Sequence, residues 1–87
     1  MKLYILTLES LSKSHQAVQA GHAVAAYLLK NPKTVWDNGT LVYLKVPSLE
    51  PWAQHADAVF HEPFWDNMLT AVAILGKSDL VKGLPLL

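Results

Sequence analysis

Leu3-Tyr4-Ile5-Leu6-Thr7-Leu8-Glu9-Ser10-Leu11-Ser12-Lys13-Ser14-His15-Gln16-Ala17-Val18-Gln19-Ala20-Gly21-His22-Ala23 is the stretch that decides the fold. Its first part is apolar on both alternating faces, with Leu3 and Ile5 on one side and Tyr4, Leu6 and Leu8 on the other. A strand apolar on both sides belongs in the middle of a sheet covered on both faces. Ser10 to Ser14 is small and polar, a turn offering several helix caps. From about Ser14 to Lys30 the spacing predicts one long helix, with apolar residues recurring at Val18, Gly21, Ala25, Leu28 and Leu29. Gly21 and the alanines around it are expected to let that face approach the sheet closely. Lys30 suits a helix end, and Asn31-Pro32 stops the helix.

Working outward, Asp37-Asn38-Gly39 is a turn and Leu41 to Val46 a second strand. Ser48 is expected to cap a short helix that tolerates Pro51 in its first turn and turns Trp52 and Ala56 to the core. Ala58 to Phe60 reads as a third strand and Pro63 to Asn67 as a loop. Leu69 to Leu75, nearly all apolar, reads as a central fourth strand, and Asp79 to Lys82 as one helical turn ended by Gly83. Strand, helix, strand, helix, strand, strand is an α/β order. The first crossover is long enough for a right-handed βαβ unit, and the short link at Pro63 makes the last two strands antiparallel. The expectation is a single domain over residues 1–87: a four-stranded mixed sheet with helices packed on its faces.

Composition narrows the function classes. Eighty-seven residues leave no room for a second core. There is no cysteine, hence no disulfide framework and no thiolate chemistry, which fits a cytoplasmic location. The first nine residues are too short for a signal peptide and read better as a strand. The longest apolar run, Ala20 to Leu29, falls far below the roughly 20 residues that span a bilayer, so no membrane contact is expected. Seven lysines and no arginine balance seven carboxylates. Proteins that grip phosphates usually show a basic excess and favour arginine, so the balance argues against strong nucleic-acid binding.

On the long helix His15, Gln19 and His22 form one polar stripe, because residues three and four apart share a face. Such a stripe on an Ala, Val and Leu surface either satisfies itself in a core or faces a cleft. Lys13, then Gln19, His22 and Ala23 in the pattern Gln-x-x-His-Ala, resembles the signature of family II peptidyl-tRNA hydrolases. Their Lys-Gly-Lys turn leads into a helix beginning near Ala-Ala-Gln-x-x-His-Ala. Trp36 and Leu41-Val42-Tyr43-Leu44-Lys45-Val46 are similar to that family's Trp and Val-Leu-Lys-Val strand, and Thr70 to Gly76 to its Thr-x-x-Ala-Ile-Gly strand. The likeness runs in order along most of a chain shorter than most members. Ser14 and His15 depart from it, standing where the family has the glycine and the second lysine. The stretch Asp57 to Asn67 also departs from the family's Asp-Ala-Gly-x-Thr loop.

The resemblance implies hydrolysis of the ester between a peptide and the terminal ribose of tRNA, without metal or other cofactor. Lys13 would stabilise the oxyanion and Gln19 would fix the geometry. A loop carboxylate, Glu62 or Asp57, would orient or deprotonate the attacking water. Asp57-Ala58 keeps the family's letters, whereas Glu62 keeps the position at a strand end, where α/β sites lie, and is preferred. His15, His22 and Trp65 would touch substrate. Each residue also has a plainer reading: Lys13 a solvated turn lysine, Gln19 and His22 a pair tying the helix to a loop, either carboxylate a surface charge. On the plainer readings the chain is an inactive binding module on the same fold. Four histidines raise the question of metal, but His15 and His22 lie two turns apart and His61-Glu62 lacks a partner at ligand spacing, so no metal site is expected. Finally, the chain is 52% hydrophobic, and part of that lies in the tail Leu84-Pro85-Leu86-Leu87 and in Phe64-Trp65. A domain this small hides a limited share of its surface, so a homodimer is expected, with the tail or the Phe64-Trp65 loop at the interface.

Overall fold

Alternation along the first strand sets the layers of the molecule, seen in a computed structural model that describes all of residues 1–87. In β1 (Leu3–Leu8), Leu3 and Ile5 enter one apolar cluster while Tyr4 and Leu6 enter another on the opposite face. The sheet order is β2-β1-β4-β3, formed with β2 (Leu41–Val46), β3 (Ala58–Glu62) and β4 (Met68–Leu75). β1 and β2 run parallel across a helical crossover, and β4 runs antiparallel to both β1 and β3. The protein is therefore α/β, a mixed four-stranded sheet with helices on it, and the two buried strands β1 and β4 are central.

The crossover is α1 (Lys13–Lys30), capped by Ser12, whose hydroxyl accepts the His15 N–H. Asn31 closes its far end, donating both its backbone N–H and Nδ2 to the Tyr27 carbonyl. The face that α1 buries differs from the one its apolar spacing suggests. Gln16, Gln19, Ala20, Ala23 and Tyr27 point to the sheet, whereas Val18 is 54% and Leu29 84% exposed, and Gly21, Ala25 and Leu28 also face outward. The close approach comes from Ala20 and Ala23, which meet Ala58, Ala71 and Ala73 of the sheet, and not from Gly21, whose surroundings are open. Apolar residues line α1 almost all the way round, so spacing alone did not select a side. Gln16 and Gln19 tip the choice because the sheet offers both of them hydroxyl partners.

The other sheet face is covered by Leu49, by two one-turn helices, α2 (Glu50–Ala53) and α3 (Ser78–Val81), and by the residues around them. Ser48 does not cap α2: the cap position is Leu49, and the Ser48 hydroxyl donates to Glu50 instead. Trp52 and Ala56 pack partly buried on this face. Gly83 has φ of 85°, so the chain leaves α3 through a conformation that costs a side-chain residue strain. The tail then lies along its own β2 edge. Lys45 donates to the Pro85 carbonyl, Leu87 donates to the Tyr43 carbonyl, and Leu44 bridges Leu86 antiparallel. One of the two dimer surfaces expected from the sequence is thus engaged within the chain. No helix is long and apolar enough to cross a membrane.

Candidate functional site

The polar stripe of α1 meets the segment from Phe60 to Trp65 residue by residue. His22 stacks on Phe60, with ring centroids 4.5 Å apart and planes 9° from parallel. Gln19 Nε2 donates to Glu62 Oε1 at 3.1 Å. His15 meets Trp65 edge to face at 5.5 Å. Three contacts spaced along two turns of helix therefore hold the end of β3 and the following turn against the first half of α1. The Glu62 and Gln19 side chains are both buried, and Glu62 lies where β3 ends, on the same edge of the sheet as the C-terminal ends of β1 and β2 but separated from them by β4.

Why Glu62 points inward follows from β3 itself. Ala58, Phe60 and Glu62 share the face toward α1 by simple alternation, while Val59 packs on the other face and His61 is exposed. A 3-10 turn at Pro63–Trp65 begins at once, with Pro63 at its start and Glu62 as its cap. The second carboxylate oxygen, Oε2, accepts the Phe64 N–H at 3.3 Å. Asp66 and Asn67 follow with φ of 52° and 57°, a left-handed pair that reverses the chain into β4. The region read as a loop is thus a pinned turn. It leaves Phe64 91% exposed while Trp65 is half-buried against His15.

Thr70 completes the cluster, and its position was hidden from sequence reading. Strict alternation puts it on the same side as Val72 and Ile74, away from α1. The β3–β4 register shifts here: Phe60 pairs with Ala71, but His61 pairs with Leu69. Thr70 is the extra residue of this bulge, which turns its side chain toward α1. Its hydroxyl donates to Gln19 Oε1 at 2.6 Å. Gln19 must then present its amide nitrogen to Glu62, so one hydroxyl fixes the orientation of the amide and the amide fixes the carboxylate. Beside this chain lies a similar one. Thr7 donates to Gln16 Oε1 at 3.1 Å, and Gln16 Nε2 donates to the Leu11 carbonyl at 2.8 Å. Both glutamines are satisfied, as burial requires.

The remaining candidates separate. Lys13 opens α1 with its side chain exposed, six residues or about one and two-thirds turns before Gln19. Asp57 sits at the opposite end of the molecule, where Oδ2 accepts the Leu75 N–H at 2.8 Å and its carbonyl accepts Asn31 Nδ2 at 3.3 Å. Asn31 follows Gln19 by twelve residues of α1, about 18 Å along the axis. Asp57 and Glu62 therefore belong to different ends of the fold, and only Glu62 adjoins Gln19. Trp36 is buried and donates its indole N–H to the Thr40 carbonyl.

The Gln19–Glu62 end supplies a carboxylate fixed by two N–H donors at the end of a strand. No protein-family model matches this chain, and no curated protein matches it.

Proposed function

We propose that this chain is an ester hydrolase of the family II peptidyl-tRNA hydrolase type, acting on the bond between a peptide and the terminal ribose of tRNA. The observation that supports it most is the Gln19–Glu62 hydrogen bond, which joins residues 43 apart in sequence at the strand-end edge of the sheet. In this reading water is the nucleophile. Glu62 takes a proton from it as the new C–O bond forms at the ester carbonyl. Lys13 stabilises the negative oxygen of the tetrahedral intermediate. As the ester C–O bond breaks, the proton passes from Glu62 to the departing ribose oxygen. Gln19 holds the carboxylate, and His15, His22 and Trp65 line the approach to it. Asp57, at the far end of α1, takes no part.

A second reading is a binding module without chemistry. It is favoured by the state of Glu62, which is buried with both oxygens engaged by protein N–H groups, and by zero net charge without arginine. The two readings divide on one assay: release of peptide from peptidyl-tRNA by the native chain, by Lys13→Ala and by Glu62→Gln. Hydrolysis lost in both variants, with their folds retained, supports the enzyme. No hydrolysis by the native chain rejects it in favour of the module.

The chain is also proposed to pair as a homodimer. With the tail backbone engaged on β2, the exposed Phe64 turn is, of the two surfaces expected from the sequence, the one that carries the proposal. Sedimentation equilibrium at micromolar concentration should give twice the 9.6 kDa mass of the monomer. A monomer there rejects the pairing.

A further inference from the structure

At the end of α1 remote from Glu62 lies an open cavity of about 390 Å³, lined by Tyr27, Asn31, Thr34, Asp57, Lys33 and the apolar group Pro32, Val35 and Leu75. The polar groups of its wall are not evenly divided between donors and acceptors. Asn31 uses its amide nitrogen twice, on the Tyr27 and Asp57 carbonyls, which leaves Oδ1 without a protein donor. Asp57 uses Oδ2 on the Leu75 N–H, which leaves Oδ1 free. The Tyr27 hydroxyl and the Thr34 hydroxyl are bonded to each other. The wall also stands at the C-terminus of an 18-residue helix, the end that carries partial negative charge. A carboxylate oxygen, an amide oxygen and a helix C-terminus together accept hydrogen bonds and favour positive charge. The neighbouring Pro32, Val35 and Leu75 offer contact to a short hydrocarbon stem. Lys33 is exposed and is the cation on this wall.

We propose that this cavity binds a small primary amine as its ammonium ion. The ammonium donates to Asp57 Oδ1 and Asn31 Oδ1, and its stem lies on Val35 and Leu75. Lys33 decides between two sources of that group. A simple alkylamine leaves it unpaired, whereas a free α-amino acid brings a carboxylate to it. The site is independent of the chemistry proposed at Glu62.

The test is a titration of the native chain followed by backbone amide NMR, using n-butylamine, norvaline and butyrate in separate arms up to about 50 mM, a range that detects weak binding. Butylamine is expected to shift the amides of residues 31, 33–35, 57 and 75, and butyrate is not. Tighter binding of norvaline than of butylamine, lost in Lys33→Ala, assigns the amino acid as the ligand class. Equal binding assigns the alkylamine. Asp57→Asn keeps an oxygen for the Leu75 N–H and removes the charge, and should weaken the amine about tenfold or more, as for a hydrogen bond to a charged group. If Asp57→Asn does not fold, the map on the native chain decides alone. No shift with either amine, shifts spread over the surface, or equal shifts with butyrate overturn the proposal.

Discussion

The two faces of the sheet are covered in different ways. One is closed mainly by a single long helix, with small and polar residues over its first turns and aromatic ones at its end: Ala20 and Ala23 against Ala58, Ala71 and Ala73, Gln16 and Gln19 against Thr7 and Thr70, then Tyr27 beside Trp36. The other is closed by large aliphatic side chains, Leu6, Leu44, Val46, Leu49, Val72, Ile74 and Val81, under two one-turn helices and the tail. The aliphatic face has no direction of its own and is held by area removed from water. On the α1 face the helix is close, and its first turns are held by hydrogen bonds with fixed donors and acceptors. A helix seated on alanines has little freedom to slide, which suits a carboxylate held at one place.

The first way to break this contrast is to empty the aliphatic face. Leu6 is fully buried there, on the central strand β1. Leu6→Ala should destabilise the fold by about 2–5 kcal/mol, the range for a buried leucine that leaves a cavity. Chemical denaturation of both chains measures it. A loss under about 1 kcal/mol would mean that this face collapses around the gap and is looser than described.

On the α1 face the telling changes are one that adds atoms at an alanine contact and one that removes a hydrogen-bond partner. Ala23 is fully buried against the sheet. Ala23→Leu should cost about 1–3 kcal/mol through overpacking. Thr70→Val removes the hydroxyl that Gln19 Oε1 accepts and should cost a similar amount, about 1–3 kcal/mol, because a buried oxygen loses its only donor. The two changes can be told apart in the Gln19→Leu background. There the cost of Thr70→Val should shrink, since no amide oxygen is left to orphan, while that of Ala23→Leu should persist. Costs that simply add would mean Thr70 and Gln19 are not coupled.

Much of the fold was legible in the sequence because period-two burial on both sides of a central strand leaves a plain pattern. Leu3, Ile5, Tyr4 and Leu6 went to the faces that alternation assigned. The order of elements gave the mixed sheet, and Asn31-Pro32 gave the helix end. The face of α1 was not legible. Val18, Leu28 and Leu29 carry the hydrophobic signal, whereas Gln16 and Gln19 carry the partners, and those partners come from Thr7 and Thr70, 9 and 51 residues away. Thr70 was further hidden by the bulge, which no propensity at that position announces. At the candidate site, Gln19 and Glu62 were singled out from a helical stripe and a strand end, and they do meet. That Asp57 lies at the other end of α1 depends on how far β3 extends, and residue types alone do not fix strand length.

The exposed flank of α1 sharpens the contrast by what it should fail to do. Leu29→Ser removes the most exposed leucine of the helix and should change stability by no more than about 0.5 kcal/mol, as for surface positions in general. A loss near that of Leu6→Ala would show that the hydrophobic spacing had named the buried side after all, or that a second chain covers it. Measuring the variant at two protein concentrations separates these, because only the covered face gives a concentration-dependent cost.

The smallest expected effect lies at the entrance to α2. Ser48 donates to Glu50 Oε2 at 2.8 Å, and this bond, followed by backbone N–H groups at Glu50 and Leu49, holds the carboxyl below its ordinary pKa. A carboxylate whose pKa is lowered on folding adds stability above its unfolded pKa, and that contribution is lost as pH falls through the folded value. Ser48→Ala removes the leading cause. The variant should therefore be slightly less stable than the native chain near neutral pH and equal to it once Glu50 is protonated in both. Glu50 is fully exposed, so solvent screens the interaction and the gap in melting temperature should be slight. A gap of the same size after Glu50 is protonated would contradict the assignment. It would mean that Ser48 acts on the α2 backbone, as the N-cap its sequence position suggested, rather than through the Glu50 charge.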